Sequence, residues 1–290
     1  MIPFENQLIA SICEKKELRS LDRSYVLTQL HQVLREEQIT LQKYEAFASK
    51  YNSFKNYKRS ALYKKLISLT RKKLRVAYGV YVKQPLRNFK KIILDLDSFC
   101  DKRIEKILCS HQSSRERFSH YEAVYQKIFE ELEKFDFPKT YSLLDLACGY
   151  NPFSYCYFSK KPTNYTAVDL SKEDMFLVQD FFKQTGIKGS AYSFSLLSNE
   201  FLKWFSMQKS TLCFFLKTLD SIEQKKRHYS KTLLDACPSR FMVVSFPLVC
   251  ISGKSLDMNV RGWLERFIKK QKWKYSSFLQ ADELFYIIKK

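Results

Sequence analysis

Residues 143–153 read LLDLACGYNPF, an apolar run interrupted by Asp145 and closed by Ala147, Cys148 and Gly149 ahead of Asn151-Pro152. The run predicts a strand over Ser142–Ala147 with a tight turn after it. In an open α/β sheet a ligand sits beyond the carboxyl ends of the strands, at the switch point, and a glycine after the first strand lets the backbone approach it closely. Gly149 is placed for that role. The next apolar run, YTAVDLS from Tyr165, ends in Asp169, where a carboxylate can accept hydrogen bonds from both ribose hydroxyls of an adenosine-containing ligand. No G-x-G-x-x-G follows the first strand, and a pyrophosphate needs that extra backbone access. The pattern therefore points to a nucleoside without phosphates, such as S-adenosylmethionine.

Working outward, strand-like runs recur at Ser142–Ala147, Tyr165–Asp169, Ser190–Ser195, Thr211–Leu216, Phe241–Phe246, Lys274–Leu279 and Leu284–Ile288. Helix-length segments lie between most of them, led by Lys172–Gln184, Ser221–Cys237 and Asn259–Lys270. Strands as continuously apolar as LCFFL and FMVVSF, alternating with helices, predict a largely parallel sheet covered on both faces. A long helix is expected over Arg103–Phe135. Residues 4–78 contain neither Gly nor Pro, so the chain is expected to divide near residue 105, with a helical domain at 1–105 and the α/β domain at 106–290.

Fifty basic against thirty acidic residues leave a net charge of +20, which points to an anionic partner such as nucleic acid. The excess is local. Between Glu45 and Asp95 there are fourteen bases and no acid. Within that segment Tyr63, Leu66, Ile67, Thr70, Leu74 and Ala77 mark one helix face, while Lys64, Arg71 and Arg75 project from the other. A solvated face ordinarily mixes signs to gain i,i+4 pairs, and this one does not. Lys58, Arg59, Lys64, Lys65, Arg71, Lys72, Arg75, Lys90 and Lys91 are accordingly candidate RNA-binding residues. Tyr57, Tyr63 and Tyr78 among them suit a core role better than a stacking one.

Several chemistries are disfavoured. No two of the eight cysteines are spaced C-x2-C or C-x4-C, which argues for free thiols and no structural metal. Cys148 has no neighbouring His or base and reads as structural. His31, His111, His120 and His228 show no pairing that suggests acid–base or metal work. No apolar run approaches the ~20 residues needed to cross a bilayer, and Glu5 stands where a secretory leader would carry bases. A cytoplasmic protein without membrane attachment is expected.

Taken together, these motifs resemble the aminoglycoside-resistance 16S rRNA (guanine-N7) methyltransferase family. DLACGYNPF looks like its cofactor motif, and SHQSSRERFSHYEAVY, from Ser110, is similar to the segment in which an arginine, here Arg117, reaches the cofactor carboxylate. FLKTLDSIEQ, MVVSFPLVCISGKSLDM and ADELFYIIKK match later family motifs in order, and LIASICEKKELRSL and RKKLRVAYGVY look like parts of its helical N-terminal domain. The resemblance implies a class I, Rossmann-like methyltransferase fold with a seven-stranded, mostly parallel sheet. It implies S-adenosyl-L-methionine as cofactor, held by Arg117, Asp145, Ala147, Gly149, Asn151, Asp169, Leu170, Ser195 and Leu196. It implies methylation of guanine-1405 N7 in the 16S rRNA of the 30S subunit, by a monomer, with aminoglycoside resistance as the outcome.

This chain departs from the family at three places. Family members usually carry an acid near the end of the third strand, where Ser195 and Leu196 stand. A hydroxyl there lacks charge assistance for the adenine amino group, a loss of ~1 kcal/mol. Leu248, Val249 and Cys250 replace a Thr-base-Ser loop, and Leu219 or Asp220 falls where the family has a proline. These changes keep two other readings open: a different rRNA or tRNA position as target, or an RNA-binding homologue without catalysis.

Guanine N7 has a free lone pair and no proton, so no general base is needed. The enzyme's task would be to hold nucleophile and methyl group in line at ~3 to 3.5 Å, the cofactor supplying the reactive group. The guanine must also be swung out of its helix. Phe246, Pro247 and Lys217 are candidates for the pocket that receives it.

Overall fold

A computed structural model of the protein describes residues 3–15, 18–76, 83–249 and 262–290. The chain forms two compact units, Met1–Pro85 with Ser171–Glu173, and Leu86–Leu170 with Asp174–Lys290. The division thus falls at Pro85 rather than near residue 105. Leu86, Phe89, Ile93, Leu96 and Ile104 explain the difference, because all five are buried in the core of the second unit. Lys90 and Lys91 go with them.

The first unit is helical, with Glu5–Ile12, Arg23–Glu36, Leu41–Ala48, Phe54–Tyr57 and Ala61–Leu74 as its helices. Asp22, Thr40, Ser53 and Ser60 cap four of them by accepting backbone N–H groups through their side chains. Helix Ala61–Leu74 buries Leu66, Ile67, Thr70 and Leu74, the stripe its periodicity predicts; Ala77 lies outside the described residues. Tyr57 is fully buried among the rings of Phe4, Tyr44, Tyr51, Phe54 and Tyr63. Tyr57 is therefore a core residue, Tyr63 is half-buried against it, and Tyr78 lies outside the described residues.

The second unit contains the seven expected strands: β1 Ser142–Leu146, β2 Asn164–Asp169, β3 Gly189–Ser193, β4 Leu212–Leu216, β5 Phe241–Pro247, β6 Lys274–Gln280 and β7 Glu283–Lys289. They form one sheet in the order β3-β2-β1-β4-β5-β7-β6. Only β7 is reversed, antiparallel to both β5 and β6. Successive residues of a strand face opposite sides, and both sides are covered. Leu143, Phe214 and Val243 belong to one core cluster, whereas Leu144, Phe215 and Val244 belong to the other. The order reverses between β1 and β4, which puts the switch point directly after the LLDLACGYNPF strand.

Two expected helices are broken. Arg103–Phe135 resolves into Ile104–Leu108, Gln112–Arg117, a 3-10 turn at Phe118–His120, and Tyr121–Glu133. Ser221–Cys237 divides into Leu219–Lys225 and Tyr229–Ala236, with His228 in the left-handed region at φ 66°. The helix expected over Asn259–Lys270 is seen from Gly262, where description resumes. Helix Asn199–Ser206, not singled out from the sequence, covers the sheet between β3 and β4.

Candidate cofactor site

The ends of β2, β1 and β4, neighbours in the sheet, meet at the switch point, where an open α/β sheet places its ligand crevice. Ala147 after β1 and Lys217 after β4 both take left-handed backbone, at φ 51° and 54°. For non-glycine residues this costs ~1 to 2 kcal/mol each, and such strain collects at functional sites. Gly149 follows at φ 52°, and a Cβ on it would lie 2.9 Å from His111 Cε1. The His111 ring packs on Tyr150 with centroids 4.8 Å apart, so the space above the turn is already filled on that side.

The Gly149 N–H donates to Asp169 Oδ2 at 2.8 Å, and the Leu170 N–H donates to Asp169 Oδ1 at 2.6 Å. The Phe194 N–H donates to the Asp169 carbonyl at 2.9 Å, tying in the segment beyond β3. A carboxylate oxygen can accept more than one hydrogen bond, so Asp169 has the chemistry that two ribose hydroxyls require.

Beneath the turn, Asp145 is buried. Asn151 Nδ2 and the Tyr165 hydroxyl donate to its Oδ2 at 2.9 and 2.6 Å, while Oδ1 has no partner among the described residues. Burial pushes its carboxyl up to about 6, against the Tyr165 and Asn151 hydrogen bonds and the field of Arg117. The Tyr125 hydroxyl donates to Asn151 Oδ1 at 3.0 Å and shares a 2.7 Å bond with Ser154 Oγ, which fixes the Asn151 amide. Asp145 and Asn151 thus act on the turn from below.

Arg117 is not open at its guanidinium edge. Its Nε and Nη2 donate to Glu283 Oε2 and Oε1 at 2.8 and 2.6 Å, with both side chains buried. Ser245 Oγ also donates to Glu283 Oε1, and Lys217 Nζ lies 3.5 Å from Glu283 Oε2 and 2.7 Å from Glu116 Oε2. Burial opposes both charges, but the pair's mutual field and hydrogen bonds prevail, holding Arg117 above and Glu283 below their ordinary ranges. Glu283 escaped the sequence reading. Its signal was an acid opening an apolar strand directly after Ala281-Asp282, a two-residue turn with both φ positive.

The other candidates fall into place unevenly. Ala147 is exposed at the mouth, Leu170 and Ser195 are half-buried, and Leu196 is buried. Phe246 is fully buried in the core, edge-on to Tyr286 at 6.1 Å, so it cannot line an open base pocket without repacking. Lys217 is committed to the Glu116 and Glu283 carboxylates. Pro247 remains half-buried at the end of β5; Cys250 lies outside the described residues. Among the described residues no group of three His, Cys, Asp or Glu side chains could hold a metal ion, and no helix is long and apolar enough to cross a membrane.

The basic segment is less one-sided than its local sequence. Lys58 and Arg71 pair with Glu14 at 3.8 and 3.4 Å, Lys73 pairs with Glu36 at 2.6 Å, and Lys65 pairs with Glu37. The i,i+4 argument could not see these acids because they lie outside the basic segment, in and beside other helices. Arg59, Lys64, Lys72, Arg75, Lys90 and Lys91 are exposed.

The polar set fits S-adenosylmethionine: two acceptors at the end of β2, a turn that excludes a Cβ, an unpartnered buried carboxylate oxygen beneath it, and a guanidinium close behind. The family model for ribosomal RNA methyltransferase (FmrO) matches residues 97–287. A 16S rRNA (guanine(1405)-N(7))-methyltransferase of Micromonospora echinospora is 24% identical over 235 residues, covering 77% of this chain and 82% of the relative. One of the same description from Proteus mirabilis is 26% identical over 212 residues, covering 67% and 72%. The crystal structure of the 16S rRNA methyltransferase RmtF in complex with S-adenosyl-L-homocysteine superposes with a TM-score of 0.74 at 20% identity, covering 100% of this chain and 99% of that one.

Proposed function

The chain belongs to the ribosomal RNA methyltransferase (FmrO) family, and on that premise we propose that it methylates N7 of guanine 1405 in 16S rRNA, using S-adenosylmethionine. The substrate is the 30S subunit, the enzyme works as a cytoplasmic monomer, and the modification confers aminoglycoside resistance. The observation that carries the reading is the Gly149–Asp169 hydrogen bond at the switch point, in a chain whose relatives bear that activity in their names.

When bound, the cofactor supplies an electrophilic methyl group. The protein's residues do the positioning. Asp169 accepts the ribose hydroxyls, with Leu170 and Leu196 against the adenine and Ser195 accepting from its amino group. The N–H groups that Arg117 does not spend on Glu283 meet the cofactor carboxylate. Asp145 and Asn151 hold the Ala147–Gly149 turn. No proton has to be removed from guanine N7, and the nearby groups are unsuited to removing one. Burial holds His111 neutral, down to about 4, and raises the Cys148 thiol well above its ordinary range. Lys217 and Pro247 flank the place where the flipped guanine enters. Lys58, Arg59, Lys64, Lys65, Arg71, Lys72 and Arg75 of the first unit, with Lys90 and Lys91 of the second, contact the rRNA backbone, and binding is steeply salt-dependent as a result.

The test is transfer of a labelled methyl group to 30S subunits, followed by reduction, strand cleavage and primer extension. A stop at guanine 1405 is expected. Transfer elsewhere overturns the target, and no transfer overturns the activity.

A further inference from the structure

Lys225, which ends helix Leu219–Lys225, and Lys226, Arg227 and His228, which join it to helix Tyr229–Ala236 of the second unit, are four consecutive basic residues, all exposed. The turn they form is held in one shape. His228 adopts φ 66°, and the Glu223 carboxylate accepts the His228 N–H at 2.7 Å and the Ser230 N–H at 2.9 Å. Glu223 is therefore spent on the backbone of the turn. Lys226 Nζ lies 4.1 Å from the centre of the Tyr229 ring, a cation–π contact that fixes its stem while leaving the residue exposed. No ion pair to Lys225, Lys226 or Arg227 occurs among the described residues. Three lysine and arginine charges are thus gathered on one turn without an ion-pair partner among the described residues.

The place of this turn matters as much as its charge. Its helix starts at Thr218, whose hydroxyl donates to the Leu146 carbonyl at the end of β1 at 3.2 Å. Seven helical residues rise only ~10 Å, so the turn stays close to the Gly149 crevice. The field of Asp169 accordingly reaches the Lys225 ammonium, although desolvation dominates and lowers its affinity for a proton.

We propose that the Lys225–His228 turn is a phosphate-binding rim of the crevice, gripping the rRNA backbone beside the nucleotide that is swung out. The proposal rests on the rRNA methyltransferase reading above and adds to it a contact surface carried by the second unit itself. An enzyme that flips a base must recover the lost stacking through the flanking backbone, and contacts to that backbone are needed at the crevice as well as on the helical unit.

The experiment compares binding of 16S rRNA at a series of KCl concentrations for the unaltered protein, K226Q/R227Q and R227Q, with melting and S-adenosylhomocysteine calorimetry on each. Each phosphate contact contributes about 0.7 to 0.9 to the slope of log affinity against log salt. The double variant is expected to lose about 1.5 from that slope and about tenfold in affinity near physiological salt, and R227Q, which leaves the Lys226–Tyr229 contact in place, about half the slope change. Cofactor affinity and melting should stay unchanged. Equal rRNA affinity and slope in all three proteins overturns the proposal while leaving the rRNA reading intact. Unchanged rRNA binding with weakened binding to vesicles of anionic phospholipid assigns the turn to a membrane surface and also overturns it. Failure of the unaltered protein to bind rRNA overturns both readings.

Discussion

Gly149 and Asp169 are joined by a 2.8 Å hydrogen bond from the Gly149 N–H to Asp169 Oδ2, so the turn after β1 and the end of β2 hold each other in place. The bond requires Gly149 in a left-handed conformation that a Cβ would oppose twice, through its own backbone and through His111. Gly149→Ala should destabilise the protein by about 1 to 2 kcal/mol from the conformation alone, with a further loss from the His111 contact. G149A/H111A should recover the second part and not the first. Thermal melts of both variants check this, and an unchanged melting temperature in G149A would contradict the geometry.

The Arg117–Glu283 pair makes a second prediction. Glu283→Ala strands a buried guanidinium and should cost about 3 to 5 kcal/mol in denaturant unfolding, whereas R117M/E283L should regain most of that stability. Neither variant should transfer methyl groups. A cost of under about 1 kcal/mol for E283A, the value of a surface pair, would show that the pair is not sealed from water.

Asp145 predicts a pH dependence. Its folded carboxyl sits at about 6 against 3.8 ordinarily, so the folded protein binds the extra proton and stability falls as pH rises through that window. The rise corresponds to about 3 kcal/mol. Asp145→Asn keeps an acceptor for Asn151 and Tyr165 and removes the titration, so its stability relative to wild type should improve by up to that amount between pH 4 and 7. His111, lowered to about 4, works in the opposite direction, since the unfolded chain takes its proton first as pH falls. Its effect is common to both proteins and cancels in the difference. Parallel stability curves for the two proteins would refute the assignment.

The exposed bases of the first unit make a kinetic prediction. R59Q/K64Q/K72Q removes charge that holds substrate equally before and during methyl transfer, so KM for 30S subunits should rise more than tenfold with kcat nearly constant. A fall in kcat at unchanged KM would place these residues elsewhere in the mechanism.

The sheet was legible because its signal is local. β4, β5 and β7 are near-continuous apolar runs, the others are bounded by turn chemistry, and all seven lie within two residues of their expected ends. The cofactor crevice was legible for the same reason, since Gly149 and Asp169 each close a strand. What escaped depends on distant residues. Glu283 meets Arg117 across 166 positions of sequence. Glu14, Glu36 and Glu37 neutralise bases that look unpaired when only their own helix is read. Phe246 could have faced either way, and the packing of Tyr286 decides for the core. The Ser221–Cys237 helix breaks because Glu223 caps the backbone at His228 and Ser230, an interaction that periodicity alone does not reveal.

Calorimetric titration with S-adenosylhomocysteine, wild type against Asp169→Ala, tests the central claim most directly. Saturable one-site binding by wild type, weakened at least tenfold in the variant at an unchanged melting temperature, is the result expected. Equal binding by the two proteins, or none by wild type, would contradict it.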